Sequence, residues 1–182
     1  MSETGHTEDV TTEVAHAAWA DAARELLIGT ARRYHHVITV KELAARAQER
    51  TDLTATSRAH HWIGDVLARV AAECADRGEP NLTSLCVNAE GSVGGGYART
   101  VSDATGEEPS DPDGHAATAR LACYAHFGAA GLPADGGFAV LTPRLSASRS
   151  RLRKAALDAR AVNTCPTCYL ELPAQGGCNN CD

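Results

Sequence analysis

Ser57-Arg-Ala-His-His-Trp-Ile-Gly-Asp-Val-Leu-Ala-Arg-Val-Ala-Ala-Glu-Cys-Ala-Asp-Arg-Gly-Glu-Pro80 is the stretch on which the fold turns. Within it Ile63, Val66, Leu67, Val70 and Cys74 fall at the i, i+3, i+4, i+7 spacing of one buried helical stripe. Ser57 stands where an N-cap belongs, and Gly78 with Pro80 supplies the stop. Upstream, Thr39-Val-Lys-Glu42 is a capping box that opens a second helix running to about Arg50. A polar turn over 51–56 joins the two. Before them, Val14, Ala17, Ala18, Leu26 and Leu27 mark an alanine-rich amphipathic helix over 12–33, followed by a short extended link over 34–38.

Downstream, 82–87 alternates enough for a strand, 88–96 is a glycine-rich turn, and Tyr97-Ala-Arg-Thr-Val101 is a second strand candidate. Helix, short strand, helix, helix, strand, turn, strand is the order of a winged helix, a helix-turn-helix with a β-hairpin wing. The expected organisation is a mainly α chain with a small β wing. Residues 1–12 form a disordered acidic tail, 13–101 the winged helix-turn-helix domain, and 102–115 an acidic loop. A helical extension covers 116–161, with Ala117, Leu121, Tyr124 and Phe127 in its first helix and a basic helix from about Ser146 to Ala161.

The last segment, 162–182, holds Cys165-Pro-Thr-Cys168 and Cys178-Asn-Asn-Cys181. Two C-x-x-C pairs nine residues apart can bring four sulfurs to the corners of a tetrahedron, the ligand set of one structural Zn2+ ion. Pro166 stiffens the first knuckle, and Gly176-Gly177 lets the second fold tightly. So short a segment carries little apolar material, so the metal must supply its folding free energy. Four thiolates leave no position open for water, which implies a structural ion. Two disulfides are the bland alternative; the other cysteines, expected buried and unpaired, with Cys74 and Cys123 in apolar helix patterns, point instead to a reducing compartment. The spacing resembles a zinc ribbon with a short loop between its knuckles.

The formal charge of −6 comes from 17 Lys and Arg against 23 Asp and Glu. Four of the acids lie in 1–13 and five in 101–115, neither of which holds a Lys or Arg. The rest balances 17 basic against 14 acidic residues, so local patches must decide the partner. Acidic residues and the lack of an apolar run near the N-terminus argue against a secretory leader, and no stretch has the length of a membrane span. A cytoplasmic protein is expected.

In a winged helix the third helix enters the major groove while the wing and flanking helices touch phosphates. That points to Thr56, Ser57, Arg58, His60 and His61 at base edges, with Arg58 the candidate for guanine. Lys41 and Arg99 would hold the backbone, and Arg149, Arg151, Arg153 and Lys154, with Arg160, form a basic helix face for further phosphates. The bland alternatives are a docking scaffold with solvated arginines, since 14–100 balances ten bases and ten acids, and a basic face paired with the acidic loop. Trp62 reads as core. The turn Gly91-Ser-Val-Gly-Gly-Gly96 lacks the Gly-Lys-Ser/Thr ending of a P-loop, and an expected strand after it offers no helix N-terminus to an anion. His35-His36 and His60-His61 are adjacent pairs that point apart, without a matching carboxylate spacing, so no catalytic metal is expected.

Residues 37–98 carry a further pattern: Ile38-Thr-Val-Lys-Glu-Leu-Ala44, His61-Trp-Ile-Gly-Asp-Val-Leu67, and Val87-Asn-Ala-Glu-Gly-Ser-Val-Gly-Gly-Gly-Tyr97. It is similar to the DNA-binding domain of alkylguanine-DNA alkyltransferases and their alkyltransferase-like relatives. The resemblance covers about a third of the chain and implies a winged helix that binds DNA and turns a damaged base into a pocket. Two positions depart from the family. Leu82-Thr83-Ser84-Leu85 replaces its nucleophilic Pro-Cys-His-Arg, and His61 stands in place of its arginine finger. Without a thiolate there, alkyl transfer has no nucleophile. Cys86 falls three positions late and is expected in the core. The sequence therefore predicts a non-enzymatic, sequence- or modification-sensitive protein that binds double-stranded DNA and carries structural zinc, with no small-molecule substrate. A protein-protein adaptor in transcription or defence machinery, docking through winged helix and ribbon, is the alternative.

Overall fold

The structure, a computed structural model, describes residues 4–159, 164–172, 178 and 180–181, with side chains from residue 12 onward. Among them it is mainly helical. The elements are α1 (Thr4–Ala31), β1 (Ile38–Thr39), α2 (Val40–Thr51), α3 (Ile63–Asp76), β2 (Cys86–Val87), α4 (Gly95–Thr105), α5 (Pro112–His126) and α6 (Pro143–Asp158), with 3-10 turns at Ala59–His61 and Leu82–Leu85. The chain divides into two compact units, residues 1–145 and 146–182.

The first unit is built on α1, α2 and α3, whose apolar stripes meet the second 3-10 turn and α5 in one core. Leu27, Leu43, Val66, Val70, Leu82 and Leu85 are its fully buried large side chains. The capping box on α2 forms: Glu42 N–H donates to Thr39 Oγ1 at 3.2 Å, and Thr39 N–H to Glu42 Oε2 at 3.1 Å. The Thr39 N–H and the Thr39 hydroxyl, both donating to Glu42 Oε2, hold the Glu42 carboxyl below the usual carboxylate range. Gly78, at φ 64°, ends α3 where the sequence places the stop.

Four expectations are corrected. First, α1 starts at Thr4, so residues 4–12 belong to a helix and not to an acidic tail. No proline interrupts that run, and extending an existing helix needs one new hydrogen bond per residue rather than a new nucleus. Second, α3 starts at Ile63, so Ser57 is not its cap; Thr56 and Ser57 lie in the connecting loop, and a 3-10 turn intervenes. Third, no hairpin wing forms among the described residues. Tyr97–Val101 lies inside α4, because Tyr97, Ala98 and Val101 bury one helical face at i, i+1, i+4. Residues 82–85 make a 3-10 turn capped by Asn81, whose Oδ1 accepts from Thr83 N–H, and only β2 remains as strand. It pairs in parallel with β1, Ile38 opposite Cys86 and Thr39 opposite Val87. Fourth, the acidic loop shrinks to 106–111, since α4 continues to Thr105 and α5 opens at Pro112. Proline at the first helical position and Asp113 in the first turn suit that start.

Long-range bonds close the unit. Tyr34 N–H donates to Ala130 O at 3.1 Å and Ala130 N–H to Arg32 O at 2.8 Å, while Tyr124 Oη donates to His36 O at 2.7 Å. Arg120 is buried and donates to Ser84 O and Val140 O. Gly91, at φ 84°, sits so close under Thr142 that a Cβ would collide with its hydroxyl, which donates to Gly91 O at 2.7 Å. In α6, which begins at Pro143 rather than Ser146, no residue is buried. No helix of the described residues is long and apolar enough to cross a membrane.

Candidate functional site

The four cysteines Cys165, Cys168, Cys178 and Cys181 converge as their spacing predicts, into a cluster that could hold one metal ion. Their Sγ atoms all lie within 4.8 Å of one another, with Cys168 to Cys178 at 3.5 Å and Cys165 to Cys181 at 3.8 Å. A disulfide needs about 2.05 Å. A tetrahedral tetrathiolate with metal–sulfur bonds of about 2.3 Å places its sulfurs about 3.8 Å apart. The set therefore fits one metal ion and not two disulfides. The first knuckle is folded for this task. Thr167 N–H donates to Cys165 Sγ at 3.4 Å, Tyr169 N–H to Cys165 O at 2.9 Å, and Cys165 N–H to Leu170 O at 2.8 Å. Backbone donors from Cys168 and Thr167 bring the Cys165 thiol down to about 6, and the Leu170 amide lowers Cys168. Without a metal, the neighbouring Cys168 and Cys178 sulfurs push Cys181 up to about 11. Gly176-Gly177 and Arg160, named from sequence, lie outside the described residues.

In the first unit a cavity of about 340 Å³ opens between α3 and the glycine turn that begins α4. Its walls are apolar at Ile63, Leu67 and Val93 and polar at His60, Asn88 and the Gly94–Gly96 backbone. Three features hold the turn in place. Asn88 Oδ1 accepts from Glu90 and Ser92 N–H, Asp113 accepts from Ser92 Oγ and Val93 N–H, and Thr142 grips Gly91. Tyr97 Oη pairs with His115 Nδ1 at 2.9 Å and, largely removed from water, has its phenol raised well above the ordinary value. Thr83 lines the cavity at the position where the resembling family has its thiol; it is 3% exposed, and its hydroxyl donates to Asn81 Oδ1 at 2.7 Å. Cys86 also lines it, but burial pushes its thiol up to about 12, which disqualifies it as a nucleophile at neutral pH.

The DNA-contact candidates are scattered. His60 edges this cavity, whereas Thr56 and Ser57 line a different hollow of about 570 Å³ beside Trp19 and Trp62. Arg58 and His61 are exposed around the first 3-10 turn, Lys41 is exposed in the first turn of α2, and Arg99 is exposed on α4 rather than beside a wing. Arg151, Arg153 and Lys154 are exposed on α6, with Arg149 half-buried. Trp62 is core as expected, its ring 4.3 Å from Trp19, and Cys74 and Cys123 are buried. Sequence reasoning missed the cavity. Its signal was the helical spacing of Tyr97 and Val101, which turns an expected flexible wing into the uncapped N-terminus of α4 at a pocket wall. With a helix in place of the strand, the ground for discounting an anion at that turn falls. No family model matches the chain, and no match is found among curated proteins or solved structures.

Proposed function

We propose that this chain is a non-enzymatic DNA-binding protein sensitive to base modification, with zinc as the ion of its tetrathiolate site. One observation carries the reading: the three segments that resemble alkyltransferase-like proteins contribute Val40, Ile63, Leu67 and the Gly94–Gly96 turn to a single cavity of base-accommodating size, and no activated nucleophile lines it. A base turned out of the duplex would stack on the apolar floor formed by Ile63, Leu67 and Val93, with the glycine amides at its edge. Thr83, its hydroxyl held by Asn81, leaves alkyl transfer without an attacking group. From the winged-helix expectation this proposal keeps only the α2–α3 core and no wing. Zinc is favoured over other ions because four thiolates in tetrahedral spacing suit it and leave no open coordination position.

The test uses Gly64, which is exposed on α3 at the cavity wall with open space around its missing Cβ. Gly64→Phe fills the hollow and, replacing glycine in a helix, does not weaken the fold. The wild type is expected to bind a duplex with one alkylated guanine at least about tenfold more tightly than the unmodified duplex, about 1.4 kcal/mol. The variant should lose that preference and keep ordinary duplex affinity. Absence of any duplex complex at low salt would end the duplex-binding, modification-sensitive reading. A second reading, the adaptor, draws on one observation: residues 1–145 hold 12 Lys and Arg against 20 Asp and Glu, a poor match to a polyanion. Binding that shows no dependence on salt would favour it.

A further inference from the structure

We infer that the first knuckle of the four-cysteine unit is a stacking platform for an unpaired base of single-stranded DNA, with Tyr169 as its ring. The inference rests on the nucleic-acid reading above, but not on its modification sensitivity.

Tyr169 follows the second metal-binding cysteine and sits at φ 59°, in the left-handed region. A bulky residue there is an outlier, and glycine or asparagine meets that backbone requirement more easily. The turn itself asks only for main-chain groups at this point: Tyr169 N–H to Cys165 O, then Leu170 O from Cys165 N–H. The ring makes no hydrogen bond or ring contact among the described residues and stands 79% exposed, with Leu170 beside it at 54%. An unfavourable conformation retained for a side chain left largely in solvent, with no ring contact among the described residues, points to a partner outside the chain.

Charge identifies the partner. Residues 146–182 hold five Lys and Arg against three Asp and Glu, the reverse of the balance in 1–145. Arg151, Arg153 and Lys154 are exposed on α6 in the same compact unit. Two described acids of that unit, Asp158 on α6 and Glu171, are exposed as well. Cations that follow a phosphate backbone, together with a projecting aromatic face, are the elements of single-strand binding. A duplex keeps its bases stacked on one another and offers nothing to the ring, so the single strand is the form the knuckle fits.

The full-length, metal-loaded chain is titrated with a fluorescent dT20 strand and, in parallel, with a duplex, while metal content is measured. Tyr169→Gly relieves the left-handed strain and removes the ring; Tyr169→Phe keeps the ring. The glycine variant is expected to retain one metal per chain and to bind dT20 about 5- to 150-fold more weakly. The phenylalanine variant should stay within about twofold of wild type, and the duplex affinity of both should be unchanged. Wild-type affinity for dT20 in the glycine variant overturns the inference. So does loss of metal in that variant, which would make the ring part of the turn, or a wild type that ignores dT20. Failure on the duplex alone tells against the proposed function and leaves the knuckle assignment standing.

Discussion

Residues 1–145 and 146–182 keep their shapes by different physics. The first unit packs six large apolar side chains completely out of water and joins segments nearly a hundred residues apart by hydrogen bonds. The second has no buried side chain along α6, leaves Leu152 and Leu157 almost seven-tenths exposed, and concentrates its order on four sulfurs. Burial of apolar area is distributed, so the loss of one contact weakens the whole by degrees. Coordination is concentrated, so the loss of one ligand removes nearly everything at once.

Metal removal tests this contrast most severely. Chelation, or Cys168→Ser, is expected to take bound metal from one ion per chain to none, where structural zinc contributes about 10–16 kcal/mol in small modules. The thermal unfolding midpoint of the helical unit should not move, as calorimetry would reveal. A concerted collapse of both would abolish the distinction. Thiol reactivity sharpens it over a second range. Burial disfavours the charged thiolate and raises both Cys86 and Cys123 to about 12, so at pH 8 each is almost entirely protonated, and its thiolate fraction rises about tenfold per pH unit. Cys165, at about 6, is ionised at the same pH once metal is gone. The metal-free chain should therefore give up to four rapid thiols with a chromogenic disulfide, and the remaining three only on denaturation. Rapid reaction of five or more would mean that the core is open. The smallest effect belongs to the cap: Thr39→Ala should cost about 1 kcal/mol in urea unfolding and leave metal content alone.

The two units also differ in how plainly they announce themselves. Four cysteines at C-x-x-C spacing admit few geometries, so the ligand set is readable from spacing alone. The capping box and the Ile63–Cys74 stripe are equally plain, because each is a local pattern with one structural meaning. The Gly94–Val101 segment is not. Three glycines suggest a turn, and the residues after them pass equally for a short strand or a helical face until Val87, Val93 and Ala116 are known to pack on that face. The loop before α3 misleads for a related reason: Ser57 has a cap's chemistry, but the buried stripe begins only at Trp62 and Ile63. The cavity leaves only the indirect trace of the Tyr97–Val101 spacing, since it is lined by residues from positions 40 to 100 that meet only after folding.

The clasp between Arg32, Tyr34 and Ala130 sets an order on biosynthesis. As the chain leaves the ribosome, the C-terminal end of α1 presents a carbonyl and an amide whose partners are still almost a hundred residues away. Tyr124, which closes over His36, is likewise late to emerge. A fragment halted short of Ala130 would carry α1, α2 and α3 yet leave that end unlatched, so the minimal autonomous piece extends through the clasp. The four sulfur ligands emerge later still, so the ion can be captured only by a chain whose helical unit is already free to latch.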